Sequence, residues 1–517
     1  MRSILLGLAL CLSAIAQDLY PTPQFSDPKR LDKLKPAFGD IDKKFEGFIR
    51  QLEVPGLVYG IVVDGELVHL KTYGVANRDT REPVKDSTVF RIASMTKSFT
   101  ALAVLKLRDE GKLSLEDPVA KWIPEFAKFQ YPTSDTAPIR IRQLLTHGGG
   151  FPEDNPWGDR QLAISDAQLT DWLKIGIPFS TVPDTRFEYS NYGFALLGRI
   201  VTKASGVPYS QYLKSQILEP LGMTSSTLEP SSVPEGRRAI GYRKRGDQWL
   251  EDKPLPDGAF GPMGGLLVDA QDLAKYVAYQ LSAYPPRNGA ETGPVRRSSQ
   301  REMQSMWRSS GLRATKQNDG SLKVTAIGYG YGLGVSQDCN FAQIVGHGGG
   351  LPGFGSYMAW LPDRGVGMFA MTNLTYAGPS APILEGFEIL LKTNALQPRQ
   401  IPVSEPLQKM QSEITQLFMD WDDARASRIA ADNFVLDNPL ALRRRAWEEL
   451  KTEVGACRAD GPVEPENWLR GRFQLACKKG DVDIFFTLSP TTPPKLQAIR
   501  LSKVEPTAKP SRNSCQF

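Results

Sequence analysis

The 517-residue chain predicts an α+β fold: an antiparallel sheet assembled from both ends of a large domain, flanked by helices, with an inserted helical lobe and a small α+β domain after it. Three observations predict this. Strand-patterned segments lie near 57–73 and return near 328–372. Between them, from about 94 to 280, the apolar spacing is mainly helical, with long loops rich in proline and glycine. Beyond "LQPRQIPVSEP" at 396–406, helix and strand patterns resume. Strands on either side of a helical middle meet in one sheet, and this length exceeds one typical core.

Taken in order, the amino terminus comes first. Arg2 precedes an apolar stretch from Ile4 to Ile15, and Ala14-Ile15-Ala16 supplies small residues before Gln17. This reads as a secretory signal, residues 1–16, too short to span a bilayer comfortably. Lipid attachment at Cys11 is the weaker reading, because Leu10 before it is not small. The expectation is a secreted or periplasmic protein with no transmembrane anchor. Export permits disulfides. Of Cys339, Cys457, Cys477 and Cys515, the pair Cys457–Cys477 is favoured because both fall in one short region, and the pairing of Cys339 and Cys515 stays open.

A helix is expected over 37–52, then a hairpin of Leu57–Val63 and Leu67–Tyr73 turning at Asp64-Gly65. After the helical lobe, strands are expected at 328–336, 340–346, 355–361 and 365–372, and a helix at 380–395. These complete a domain over 35–395, followed by a linker at 396–406. An accessory domain over 407–505 carries a helix at 407–430 and strands at 471–476, 481–488 and 496–503.

The net charge of +5 is mild for this length, and short basic runs such as Arg443-Arg444-Arg445 lack interleaved aromatics, so no nucleic-acid partner is expected. The three histidines, His69, His147 and His347, lie far apart. No zinc-ligand spacing is present, so neither a metal nor another cofactor is expected. His69 reads as an exposed strand residue, and His147 as a structural residue closing a helix over 141–147.

Ser94-Met95-Thr96-Lys97 opens an amphipathic helical run in which Phe99, Leu102, Ala103, Leu105 and Leu107 supply a buried face. A serine and a lysine three apart on a helix share one face. The bland reading makes Ser94 a helix cap and Lys97 a solvated charge. A second Ser-x-x-Lys, at Ser26 to Lys29, contains Pro28 and lies outside any core pattern. Three further elements separate the two: Tyr189-Ser190-Asn191 before an apolar helical run, His347-Gly348-Gly349-Gly350 ending a strand, and "LLTHGGGFPE" at 144–153.

Over about 37–395, this ordered set resembles the serine β-lactamase-like hydrolases: class C β-lactamases, D-alanyl-D-alanine carboxypeptidases, D-aminopeptidases and related esterases. The resemblance implies a β-lactamase/transpeptidase-like sheet and an exported serine hydrolase acting through a Ser94 acyl-enzyme. It gives Lys97, Tyr189 or the two together as general base. Asn191 would bind substrate or Lys97, or else cap the next helix. Gly349 and Gly350 follow His347 at a strand edge, where the N–H groups of Ser94 and Gly350 would stabilise an oxyanion.

Small-molecule partners would be an ester, a D-amino-acid peptide or a β-lactam. Where class C enzymes carry Lys-Thr-Gly, this chain has His347-Gly348-Gly349, and histidine is mostly neutral at pH 7 with an ordinary pKa near 6.5. A non-hydrolytic acyl-binding or penicillin-recognising sensor is the alternative. A nucleophile-elbow hydrolase would need Gly-x-Ser-x-Gly, which no serine here satisfies. The segment from about 407 resembles a small cystatin-like or nuclear-transport-factor-like cone, with an accessory role and an unknown partner.

Overall fold

The computed structural model describes residues 20–317 and 320–504, in two compact units. One runs from Asp27 to Pro398, and the other begins at Arg399 and takes in the described residues before Asp27. The expected leader, 1–16, and Cys515 lie outside the described residues.

In the larger unit, short helical turns over 30–37 lead into helix α1 (Phe38–Leu52) and the hairpin of β1 (Gly56–Val63) and β2 (Glu66–Gly74). Asp64 and Gly65 both take positive φ, 53° and 89°, the turn geometry whose twist matches a tight hairpin. The helical lobe follows, with α2 (Thr96–Asp109), α3 (Asn191–Ser205) and α4 (Ala270–Leu281) as its main helices. The chain then returns through β3 (Arg308–Lys316), β4 (Leu322–Tyr329), β5 (Gly334–Gln337), β6 (Ile344–Leu351), β7 (Phe354–Leu361) and β8 (Val366–Thr372), and ends in α5 (Ser380–Leu391).

All eight strands form one sheet in the order β2-β1-β8-β7-β6-β5-β4-β3. Every neighbouring pair is antiparallel. The first and last parts of the unit meet where β1 pairs with β8, Leu57 opposite Thr372. Both faces of the sheet are covered at its central strands, β1, β8, β7 and β6. Alternation along β1 sends Val58 and Val62 into the core shared with the helical lobe, and Leu57, Tyr59, Ile61 and Val63 into the core shared with α1 and α5.

The stretch expected as one strand at 328–336 contains the end of β4, a turn and the start of β5. The strand expected at 340–346 starts at Ile344 and continues through the glycines to Leu351, because pairing with β7 needs only their backbone. Strand β3 shows almost no buried side chain, so no apolar alternation marks it. His69 is half-buried, not exposed: its Nε2 lies 2.8 Å from Asp42 Oδ1 and its ring packs against Phe38.

In the second unit, Glu405–Met419, Asp423–Ile429 and Leu440–Val454 are helices and four strands form an antiparallel sheet. The single helix expected over 407–430 breaks after Met419, and Asp422 caps the next helix by accepting from Ala424 N–H. Helix Leu440–Val454 buries only Trp447 and Val454, too few for a periodic signal. The edge strand Cys457–Asn467 carries Pro462 and Pro465, which an edge with register shifts tolerates. Cys457 stands opposite Cys477 on the adjacent strand, and the two form a disulfide.

Candidate active site

The chain leading to Ser94 is pressed against the edge of β6. Strand β6 pairs with β5 only as far as Gly346, which leaves the edge from His347 onward open on that side. Ser356 Oγ on β7 donates to Ile92 O at 2.8 Å. A Cβ on Gly349 would come within 2.2 Å of both Ile92 O and Ser356 Oγ, so only glycine lets the strand and the nucleophile segment approach this closely. Ala93 then turns the chain with φ of 50°, a left-handed conformation that costs a non-glycine residue about 1–2 kcal/mol.

Ser94 lies in a single 3₁₀ turn (Ala93–Met95) ahead of α2 and does not cap that helix; the N-cap is Met95, with no side-chain cap bond. Helix α2 is not amphipathic in place. Every residue from Thr96 to Leu105 is buried, as befits the central helix of the lobe. Its polar side chains find partners: Ser98 Oγ donates to Met95 O at 2.8 Å, and Thr100 Oγ1 to Pro262 O at 2.6 Å. The nucleophile candidate therefore stands at the end of a rigid, fully packed rod.

Lys97 is fully buried, not a solvated charge. Its Nζ lies 2.9 Å from Ser94 Oγ and donates to Asn191 Oδ1 at 2.7 Å and to Met263 O at 2.8 Å. Burial pushes its pKa down to about 7, against the opposing pull of Asp154, Asp159 and Glu153. A neutral amine has two N–H bonds and one lone pair. The two obligate acceptors take the N–H bonds, and the lone pair is left for the Ser94 hydroxyl.

The orientation of Asn191 follows from a chain of amides. Glu153 Oε1 accepts from Asn155 Nδ2 at 2.9 Å, and Asn155 Oδ1 accepts from Asn191 Nδ2 at 2.7 Å. A carboxylate only accepts, so each amide has one arrangement, which turns Asn191 Oδ1 to Lys97. Asn191 does not cap α3. Ser190 does, accepting from Gly193 N–H, while both Asp154 oxygens take the N–H groups of Asn191 and Tyr192 at 2.7 and 2.8 Å.

Tyr189 presents its ring to Lys97, with Nζ 4.9 Å from the ring centroid. Burial holds its phenol well above the ordinary range; the Ser94 hydroxyl works the other way, and Asp159, Asp154 and Glu153 add to the rise. The phenolate form is thus disfavoured. His147 secures this segment from behind. It has φ of 54°, its Nδ1 accepts from Ser190 N–H at 3.0 Å, and its O accepts from Glu188 N–H at 2.9 Å. Its ring lies 4.3 Å from the Tyr189 ring, so it is structural, although the helix before it ends at Leu145.

His347 is buried, and its ordinary pKa is not retained. Its Nδ1 donates to Gly348 O at 2.5 Å, and Tyr329 Oη donates to its Nε2 at 2.7 Å. The neutral ring satisfies both partners. Burial first, and then the charge of Lys97, pushes its pKa down to about 3, so it stays neutral well below pH 6.5.

Ser94, Tyr189, His347, Gly349 and Gly350 share one cavity of about 600 Å³, which Asp159 and Tyr376 also line. Asn191 and Lys97 stand behind it.

The sequence profile of the Beta-lactamase family matches residues 41–391. The chain belongs to the beta-lactamase family. Within that family's span fall all of the residues just described, from Ser94 to Tyr376. The chain is 28% identical over 337 residues to Protein flp of Staphylococcus aureus (strain N315), covering 65% of this chain and 62% of that protein. It is 30% identical over 295 residues to Beta-lactamase-like protein 2 of Dictyostelium discoideum, covering 55% and 53%. The chain thus spans less than two thirds of the length of these curated relatives. Among solved structures, the octameric penicillin-binding protein homologue from Pyrococcus abyssi shares the fold, with TM-score 0.57 and 24% identity over 90% of this chain and 96% of that one.

The beta-lactamase family residues expected from the sequence, Ser94, Lys97, Tyr189, Asn191, His347, Gly349 and Gly350, come together at this one place. Cys457 and Cys477 belong to the other unit. Sequence reasoning missed Met263, which acts through a backbone carbonyl, and Asn155, Asp154, Asp159, Tyr329 and Tyr376. "EDNPWGD" at 153–159, with its acids and amide beside turn residues, carried a signal for Asp154, Asn155 and Asp159.

Proposed function

We propose that this protein is a serine hydrolase that cleaves an ester or amide bond through an acyl-enzyme on Ser94. The observation that carries the reading is the buried Lys97 amine, held by two obligate acceptors with its lone pair free for Ser94 Oγ. Lys97 takes the Ser94 proton as Oγ bonds to the carbonyl carbon. The N–H groups of Ser94 and Gly350 receive the negative charge that develops on the carbonyl oxygen. Tyr189, kept neutral, passes a proton to the leaving oxygen or nitrogen as that bond breaks and recovers one from Lys97. Water then attacks the acyl-enzyme, giving its proton to Lys97, and the Ser94–acyl bond breaks as Lys97 returns that proton to Ser94 Oγ.

Of the three substrate classes, an ester or amide without a carboxylate beside the scissile bond is favoured. No lysine or arginine lines the described cavity, and His347 is neutral. We also propose that the protein is exported, supported by the amino-terminal pattern and by the Cys457–Cys477 bridge. The unit after Arg399 would have an accessory role, supported by the site residues all falling between Ser94 and Tyr376.

The test is turnover of p-nitrophenyl esters and of a penicillin by the purified chain and by Ser94→Ala. Ester hydrolysis that depends on Ser94 and exceeds penicillin hydrolysis is the expected result. Equal turnover in Ser94→Ala would remove the proposal.

A further inference from the structure

The wall of the Ser94 cavity holds a buried carboxylate that the chemistry above does not use. Asp159 sits in a 3₁₀ turn (Gly158–Arg160), is 2% exposed and lines the cavity. Its Oδ2 accepts from Tyr376 Oη at 2.9 Å, while its Oδ1 is buried with no donor among the described residues. Arg160 beside it is exposed and forms no ion pair with it among the described residues. Lys97 acts on it electrostatically, but the three contacts of its Nζ lie elsewhere.

A carboxylate removed from water and met by one neutral donor is costly to keep unless a cation answers it. Asp159 has no architectural use that would explain that cost. Asp154, five residues earlier, spends both oxygens on the first N–H groups of α3. Asp159 caps nothing, and its one partner is Tyr376, which is 46% exposed and has φ of 56°. The rest of the cavity wall supplies no competing charge, since the strand edge offers glycines and a neutral His347.

We infer that Asp159, steadied by Tyr376, is a subsite for a cationic group of the substrate. The substrates are then esters or amides with an ammonium group within a few bonds of the scissile carbonyl, such as aminoacyl compounds with a free amine. This rests on the Ser94 reading of the cavity and names a substrate class for it. An ammonium supplies the donor that Oδ1 lacks and brings the carboxyl, whose pKa burial raises, back toward its ionised form. A carboxylate at the same place meets only repulsion.

The test compares kcat/KM of the full-length protein for three matched p-nitrophenyl esters: 3-aminopropanoate, butanoate and hydrogen succinate. The expected order places the amine at least tenfold above butanoate and the succinate below it, and Asp159→Asn brings the amine-to-butanoate ratio to about one. A second measurement needs no turnover. Calorimetry on Ser94→Ala should show n-butylammonium binding at least tenfold tighter than 1-butanol, with the preference lost on adding Asp159→Asn. Equal binding of the two, or an ester ratio that Asp159→Asn leaves unchanged, overturns the subsite. Tighter ammonium binding without hydrolysis of any ester by the wild type would keep the subsite and remove the hydrolase reading instead.

Discussion

Lys97 Nζ stands 2.9 Å from Ser94 Oγ at the base of a buried helix, with a pKa pushed down to about 7. The sign of the pH dependence follows. Below this value the amine is an ammonium and cannot take the serine proton; above it the lone pair is free. We predict that kcat/KM falls about tenfold per pH unit below about 7 and is level above it. Lys97→Arg should be inactive throughout, because a guanidinium does not lose its proton. A flat profile from pH 5 to 9 for a neutral ester would contradict this assignment.

The amide chain from Glu153 through Asn155 to Asn191 sets which atom faces Lys97. With Asn155→Ala, the Asn191 amide loses its fixed partner and can turn its N–H₂ toward the amine. An ammonium-compatible acceptor becomes a second donor, and kcat should fall by roughly 10-fold or more while the fold holds. Steady-state kinetics beside a thermal melt would check it. Unchanged kcat would show that Asn191 keeps its orientation without the chain.

Gly349 is a position where a single methyl would clash with the backbone that leads to Ser94. The added Cβ meets Ile92 O, a backbone atom on the path to Ser94, at 2.2 Å. We predict that Gly349→Ala costs about 1–3 kcal/mol of stability and roughly 10²-fold in kcat/KM through displacement of the nucleophile. Gly348→Ala is the control, since its Cβ would meet only the Tyr357 ring, at 3.4 Å from Cδ2 and 3.8 Å from Cε2. Equal effects of the two would remove the close-approach argument.

The Cys457–Cys477 bridge closes a loop with a sequence separation of 20 in the C-terminal unit. Replacing both cysteines by serine should destabilise that unit by about 3 kcal/mol on the chain-entropy account. Ester turnover at 25 °C should be unaffected, since no site residue lies in that unit. Calorimetric unfolding and kinetics of the double variant would check both parts.

Much of this was legible in the sequence for local reasons. The Asp64-Gly65 turn, the apolar runs of β1, β7 and β8, and the ordered Ser94, Tyr189 and His347 motifs each carry their signal in adjacent residues. Other features depend on what folding brings near. A mostly neutral His347 is expected from the sequence, but its pKa of about 3 comes from burial and from Lys97, and its Nε2 partner is Tyr329, residues 250 and 18 positions away. Met263 contributes a carbonyl, which no side-chain pattern reveals. Strand β3 and the edge strand Cys457–Asn467 went unread because edges need little apolar alternation and tolerate proline. Asp159 is distinguished only by the donor it lacks.

A covalent intermediate at Ser94 that water releases is the central step of the proposed chemistry. The most direct measurement is rapid-quench mass spectrometry during turnover of a slowly deacylated ester, with peptide mapping of the trapped protein. The predicted result is one acyl group per chain, on the peptide bearing Ser94, appearing before steady state and decaying at kcat once substrate is spent. An acyl group on another residue would contradict the account, as would one that stays on Ser94 without turnover, or turnover with no adduct when deacylation is slow.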